Sequence, residues 1–335
     1  MSLDRLLNPY FKVRTSGIRR NMRYVLVTSA RNEAKFIEVT IRSVVNQSLL
    51  PERWVIVDDG STDDTAGIVE HYRQDYHWIQ LLRRPNRPDR SFTGKALAVN
   101  SALEQLASVP FDVVGNLDAD VSFEPDYMAF LLEKFAVDPD LGVAGTPYTE
   151  KEYDSGNDSF AGDNYVSGPC QLFRYACFQE IGGYAQSRSG GIDWIAVMQA
   201  RMNGWKARSF PEKRFHHHRP MGTAEKGKLA ALFAYGQKDY YLGGSPIWQL
   251  FRVAYRAIKK PYVSGGLALL LGYGWAAMRR VKRPVSVELV RFHRRDQMQK
   301  LKAILWSLGS LKKVHSFSLG AGVRNKREAF NSNPY

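Results

Sequence analysis

Asp118 and Asp120, two positions apart, close an apolar run that begins at Phe111. Two carboxylates at the end of a buried strand can point at one ligand. A hard divalent cation held by one or two carboxylates plus substrate phosphates is the arrangement expected for Mg²⁺ or Mn²⁺ in an enzyme that handles nucleotides. The spacing alone fits a solvated turn or a helix cap equally well. Asp126, after Pro125, is however the better cap for the helix that follows, so Asp118 and Asp120 are not needed for it. A second acidic cluster, Asp58-Asp59-Gly60-Ser61-Thr62-Asp63, ends another apolar run. Turn chemistry, with Ser61 or Thr62 as helix cap, accounts for Gly60, Ser61 and Thr62 but not for two adjacent acids. A carboxylate there can accept a hydrogen bond from a base N–H such as that of uracil. Later in the chain His216-His217-His218-Arg219-Pro220 follows an extended segment. Alternate strand residues share a face, so either His217 or the pair His216 and His218 points to a site.

These groups need a scaffold that brings strand ends together. Tyr24 to Thr28, Trp54 to Val57, Trp78 to Leu82 and Phe111 to Val114 read as short buried strands. Helical patterns follow the first three, through Ile37, Ile41 and Val44, through Ile68, Val69 and Tyr72, and through Ala96, Leu97, Val99 and Leu103. Alternating strands and helices predict an α/β fold with a mainly parallel sheet and helices on both faces. The polar clusters then collect along the carboxyl edge, where open α/β sheets bind ligands. Gly142 to Tyr148 reads as a further strand, Gln171 to Glu180 as a strand end or short helix, Ile192 to Met202 as a helix, and Ala207 to His217 as one extended segment. No fixed-period repeat, G-x-G-x-x-G or Walker motif is present.

Val27-Thr-Ser-Ala-Arg31-Asn32-Glu33, Val57-Asp58-Asp59-Gly60-Ser61-Thr62-Asp63, Gly94-Lys95-Ala-Leu-Ala-Val-Asn100 and Asp118-Ala-Asp120 followed by Phe123-Glu-Pro125 together resemble the family 2 glycosyltransferases with the GT-A fold, over roughly Tyr24 to His218. The ordered set is specific, although each motif alone is weak. The resemblance implies inverting transfer of a sugar from a nucleoside diphosphate sugar, most simply a UDP-sugar, with the diphosphate held through Mg²⁺ or Mn²⁺. Carried over by position, Ser29, Arg31, Glu33 and Asp59 line the nucleoside pocket, Lys95 and Asp118 contact the donor, and Asp120 is the chief metal ligand, with His217 favoured among the three histidines as a further one. Arg31 stands where an aromatic residue is common. The resemblance also makes Asp193, before the Ile195 to Met202 pattern, the catalytic base, with Ile192 in place of the usual Glu; the pattern alone would allow a helix N-cap. Arg219 either neutralises the leaving diphosphate or pairs with a surface acid. Gln249-Leu-Phe-Arg252-Val approximates the Q-x-x-R-W motif of processive enzymes without its Trp, which predicts one sugar added per encounter.

The 335 residues, 44% hydrophobic and 24% charged, exclude a disordered chain and suffice for a full core. The expected organisation is an N-terminal extension (1–22), a catalytic domain (23–225) and a basic helical C-terminal region (226–335). The formal charge of +14 is concentrated there: from Phe251 onward eighteen Lys and Arg face three Asp and Glu, leaving residues 1–250 near neutrality. That asymmetry points to a polyanionic surface, and the absence of RNP, zinc or helix-turn-helix signatures argues for a membrane rather than nucleic acid. Pro261 to Met278 is uncharged for 18 residues and flanked by Lys and Arg at both ends, which favours an in-plane or re-entrant segment over a buried core helix or a true span. Tyr262, Tyr273 and Trp275 suit a headgroup zone. Two cysteines, Cys170 and Cys177, indicate no disulfide framework, and the N-terminus lacks a secretory h-region, so the expected location is the cytoplasm, peripheral at the inner face of the cell membrane. The implied acceptor is a saccharide or lipid-linked saccharide hydroxyl, with a polyprenyl-phosphate sugar synthase as the sibling alternative; the oligomeric state is unspecified.

Overall fold

A computed structural model describes residues 22–85, 92–151, 153–157, 162–187, 190–219 and 227–310. The expected N-terminal extension, apart from its last residue, the middle of the basic loop after the third strand, the boundary at 225/226 and the tail beyond 310 lie outside the described residues.

In chain order the first half comprises β1 (Tyr24–Ala30), α1 (Ile37–Val45), β2 (Arg53–Asp58), α2 (Thr65–Asp75), β3 (Ile79–Arg83), α3 (Phe92–Gln105), β4 (Val113–Leu117), β5 (Val121–Ser122) and α4 (Tyr127–Val137). There follow β6 (Leu141–Gly145), β7 (Tyr148–Glu150), β8 (Tyr153–Asp154), β9 (Cys170–Arg174), α5 (Tyr175–Glu180), α6 (Ile192–Met202), β10 (Lys206–Ser209) and β11 (Phe215–His217). Among the described residues four helices follow: α7 (Lys228–Tyr241), α8 (Pro246–Ala257), α9 (Tyr262–Met278) and α10 (Val287–Ser310).

The main sheet has seven strands in the order β10-β6-β9-β4-β1-β2-β3. β4, β1, β2 and β3 are mutually parallel, and β9 alone runs against both its neighbours. Alternation along β1 shows why helices must cover both faces. Tyr24 and Leu26 enter one core with Trp54, Ile56 and the apolar face of α1, while Val25 and Val27 enter the other with Val55, Val57 and the α3 residues Ala96, Val99 and Ala102. A strand apolar on both faces is stable only when both are buried.

A second sheet, β5-β11-β7-β8, was not legible in the sequence. Ala207 to His217, expected as one extended segment, divides into β10 in the first sheet and β11 in the second. Two cap expectations also change. Asp64, not Ser61 or Thr62, stands at the N-cap of α2; Asp126 stands at that of α4, but its carboxylate pairs with Lys213 instead of a helix N–H.

In the C-terminal region α7 and α9 cross so closely that a Cβ on Gly272 would lie 2.0 Å from the Phe233 carbonyl oxygen. Gln249 donates to the Leu269 carbonyl and Arg252 pairs with Asp239, so these two residues tie α8 to α9 and α7. α9 is a packed helix on one side. On the other it exposes Val263, Leu267, Leu271, Trp275 and Met278, whereas the Tyr273 hydroxyl turns inward to the Gly244 carbonyl. Among the described residues no helix is long and apolar enough to cross a membrane.

Candidate active site

The loops after β1 and β2 are stitched together. Asn32, at φ 56°, donates its backbone N–H to Ser61 Oγ at 3.0 Å and accepts from Thr62 N at 2.8 Å. Glu33 N donates to Thr65 Oγ1 at 2.8 Å and Ala34 N to Asp63 Oδ2 at 3.0 Å. Short polar side chains in these positions satisfy backbone groups that the strand ends leave free. The adjacent acids thereby take different work. Asp58 folds back onto the N–H of Ser61 at 2.9 Å, whereas Asp59 faces Arg84 at 3.3 Å. Ser29, Arg31, Glu33 and Asp59 thus lie along one edge, with Glu33 and Asp59 buried.

β4 ends one strand away. Asp118 N is held by the Pro169 carbonyl at 2.8 Å and Asn116 Nδ2 reaches the Gly168 carbonyl at 3.3 Å, so the segment before β9 clamps the acidic pair. Lys95, in the first turns of α3, forms an ion pair with Asp118. Burial pulls the Lys95 ammonium down, but Asp118, with Asp193 and Asp120 behind it, holds its pKa above the ordinary lysine range.

His217 reaches this point through the second sheet. β11 pairs antiparallel with β5, setting His217 opposite Val121 and therefore beside Asp120. One donor atom from each of Asp118, Asp120 and His217 lies within 4.8 Å of the others, the spacing a single cation can bridge. His217 Nε2 is 3.5 Å from Asp120 Oδ1, and Nδ1 is 3.4 Å from Glu150 Oε2 on the neighbouring β7. Nδ1 makes no hydrogen bond at that distance, so Glu150 acts on the imidazole as a neighbouring negative charge. Burial first, then Asp118, pushes the Asp120 carboxyl above its usual range, with His217 and Arg219 acting against the rise. Two crowded carboxylates and an imidazole, mainly hard donors, fit Mg²⁺ or Mn²⁺, whose charge would relieve that repulsion.

The open choice among the histidines is resolved by strand alternation. His216 contacts Thr149 Oγ1 at 3.2 Å and His218 contacts Ser122 Oγ at 2.8 Å, their rings packed 4.6 Å apart, outside the Asp118/Asp120/His217 group. Arg219 pairs with Glu33 and lies 3.6 Å from Asp120, so it joins the loop after β1 to the acidic pair instead of meeting a surface acid.

Asp193 is the second residue of α6, whose N-cap is Gly191, so the cap role drops away. Its carboxylate packs so tightly on Gly168 that a Cβ there would lie 2.6 Å from Asp193 Oδ2. Beneath it the buried Tyr184 hydroxyl donates to Gln171 Oε1 at 2.8 Å, and Gln171 donates to the Val166 carbonyl at 2.9 Å. Burial first, then Asp193 and Asp118, drives the Tyr184 phenol well above its ordinary range. Glu150, Arg84 and Gly168 escaped the sequence reading because their positions follow from pairing across strands and from close packing, which leave no spacing signal.

This architecture, a mainly parallel sheet with helices on both faces and an acidic pair at the carboxyl end of a central strand, is the GT-A fold of glycosyltransferases. Solved structures support the fold. A mannosyltransferase from Pyrobaculum calidifontis, in complex with GDP-Man and Mn²⁺, superposes with TM-score 0.55 at 20% identity over 87% of this chain and 80% of that one. S. aureus TarS 1–349 in complex with UDP-GlcNAc does so with TM-score 0.50 at 16% identity over 65% of each chain. Residues 25–182 match the family described as glycosyl transferase family 2. Curated relatives include the poly-beta-1,6-N-acetyl-D-glucosamine synthases of Staphylococcus aureus, 27% identical, and Staphylococcus epidermidis, 26% identical, each over 165 residues. The matched stretch is 49% of this chain but 35% of those relatives' length.

Proposed function

We propose that the protein is an inverting, metal-dependent glycosyltransferase that moves a sugar from a nucleoside diphosphate sugar, by preference a UDP-sugar, to a hydroxyl of a saccharide or lipid-linked saccharide in polysaccharide or glycolipid assembly. The observation that carries this reading is the convergence of Asp118, Asp120 and His217 within bridging distance of one another, with Lys95 paired to Asp118. Asp118, Asp120 and His217 would hold the cation, which when bound supplies charge stabilisation to the donor diphosphate. Ser29, Arg31, Glu33 and Asp59 seat the nucleoside, and Lys95 adds positive charge beside the diphosphate. Arg219, already beside Glu33 and Asp120, is placed to contribute more as the leaving group departs. Asp193 accepts the proton of the acceptor hydroxyl as its oxygen attacks C1 of the sugar, so that the departing nucleoside diphosphate leaves from the opposite face.

A panel of UDP-glucose, UDP-galactose, UDP-GlcNAc, UDP-glucuronate and GDP-mannose, each with Mn²⁺, tests the donor by thermal shift, since a ligand that binds only the folded state raises its stability. Asp120→Asn is expected to abolish the metal-dependent shift while leaving the unliganded melting temperature within a few degrees. An undiminished shift would end the metal role. Asp193→Asn is expected to keep donor binding and lose turnover; retained turnover would instead favour a phosphate acceptor, which scarcely needs a base, as in polyprenyl-phosphate sugar synthases.

The membrane part of the reading rests on α8 and α9. Ile247 and Leu250 on α8, Ile258 just past its end, and Val263, Leu267, Leu271, Trp275 and Met278 on α9 are all exposed, and the exposed Lys259, Lys260, Arg279, Arg280 and Lys282 flank α9 along the chain. Exposed apolar side chains flanked by basic residues suit peripheral binding to an anionic bilayer at its cytoplasmic face, each basic residue contributing about 1 kcal/mol near such a surface. Flotation with anionic liposomes at low and high salt is the check: salt should release only part of the protein, and absence of flotation at both would refute the membrane role.

A further inference from the structure

Asp193 does its proposed work from the first turn of α6, and that turn is held from the C-terminal helices. Gly190, just before the N-cap, carries a carbonyl outside the helix ladder, whose first bond runs from Ile195 N to Gly191 O. Ser187 Oγ donates to the Gly190 carbonyl at 3.0 Å, and the Tyr241 hydroxyl lies 3.3 Å from the same oxygen and is hydrogen-bonded to Ser187 Oγ. With one proton each, serine serves the carbonyl and tyrosine serves the serine. Ser187 is 2% exposed and Tyr241 6% exposed, so water cannot stand in for either hydroxyl. Tyr241 is the last residue of α7, and its neighbours Lys238 and Leu242 rest against Gly191.

α10 grips the same helix from another direction. Trp194, next to Asp193, meets the His293 ring edge-on at 4.6 Å, and Arg201 pairs with the buried Asp296 at 2.8 Å. Ile195 and Met198 share an apolar cluster with Tyr241, Leu242 and Leu289. The donor-side groups hang instead on the ends of β1, β2, β4 and β11 and, for Lys95, on α3. A peptide plane that enters a helix sets the direction of its first side chains, and a misplacement of about 1 Å at a reacting group costs on the order of a hundredfold in rate.

We infer that Tyr241, acting through Ser187 and the Gly190 carbonyl, is a positioning residue that aims the Asp193 carboxylate, so that the C-terminal helical region sets the acceptor half of the site and not the donor half. This rests on Asp193 being the base. Tyr241→Phe keeps the ring in its cluster and removes only the hydroxyl. Transfer is followed as nucleoside diphosphate release from the panel donor with the highest turnover in the wild-type protein, and Mn²⁺-dependent donor affinity is measured by calorimetry. The expected result is a fall in kcat of about tenfold with donor affinity unchanged within twofold, together with faster amide exchange at residues 191–195 in the unliganded protein. Ser187→Ala is expected to give the same loss, non-additive with Tyr241→Phe, and neither change should cost anything further in an Asp193→Asn background. Wild-type kcat in Tyr241→Phe, an equal fall in donor affinity, or a further loss on top of Asp193→Asn overturns the inference. Full turnover in Asp193→Asn alone removes the base reading and the inference with it, an outcome read from that variant independently of Tyr241.

Discussion

Gly168 is the most informative single position to perturb, because its neighbour is the proposed base. Its backbone is not left-handed, so alanine meets no conformational penalty there. The added methyl would lie 2.6 Å from Asp193 Oδ2, 2.9 Å from its Cγ and 3.0 Å from its Cβ, where ordinary contact begins near 3.4 Å. Gly168 is poorly able to retreat, since its carbonyl accepts from Asn116 and the next carbonyl, of Pro169, accepts from Asp118 N. The carboxylate must therefore give way by roughly 0.8 Å at its oxygen. Asp193 is half-buried at a helix start and not sealed in the core, so moving it should cost about 1 kcal/mol of stability. The chemistry is less forgiving: a displacement of that size predicts a loss of kcat on the order of a hundredfold. Donor affinity should be spared, because the methyl meets Asp193 while the Gly168 and Pro169 carbonyl bonds that steady the acidic pair stay in place. The assay pairs initial rates of nucleoside diphosphate release with a urea melt of the same preparation. A Gly168→Ala protein that melts normally and keeps kcat within threefold of wild type would refute the claim that this close contact sets the carboxylate.

Other perturbations probe the frame and its protonation. Gly272→Ala would put a methyl 2.0 Å from the Phe233 carbonyl oxygen, a backbone atom that can move only if α7 and α9 separate; a loss of about 2 kcal/mol or more is expected in urea unfolding, and no measurable loss would mean the crossing is looser than described. His293, desolvated by burial and flanked by Asp296, Lys300, Arg201 and Arg294, has its imidazole lowered to about 4 from 6.5. The unfolded chain then binds the extra proton between those values, so stability is full above pH 6.5 and is lost as pH falls toward 4, by roughly 1 to 2 kcal/mol at pH 5. His293→Phe should keep the ring contact with Trp194 and flatten this part of the profile; an unaltered slope between pH 7 and 5 would assign the loss to other groups.

Local signals were enough to place the four parallel strands β1 to β4, the helices that follow the first three, and the carboxyl-edge acids. Buried strands alternating with amphipathic helices leave periodicities of 2.0 and 3.6 residues, and strand-end polar runs mark where an α/β sheet opens to ligands. The paired acids Asp58 and Asp59, and Asp118 and Asp120, could therefore be singled out, and Asp193 could be set at the start of a helix by the Ile192 to Met202 pattern. The sequence could not separate the role of Asp58, turned back on Ser61, from that of Asp59, because both conform to the same turn.

Only the tertiary structure decided which histidine meets the acids. His217 stands nearly a hundred residues from Asp120 along the chain, and they meet because β11 pairs with β5 in a small second sheet whose two-residue and three-residue strands carry too few residues to show a period. Glu150 behind His217, Arg219 across Glu33 and Asp120, and Gly168 under Asp193 arise in the same way, from strand register and close packing between segments remote in sequence. The tail shows the same division. Its basic, partly apolar character was plain from composition, but that α9 buries a glycine face against α7 while exposing a stripe of Val263, Leu267, Leu271 and Trp275 follows from where its neighbours sit, since every face of so apolar a helix looks alike until one of them is covered.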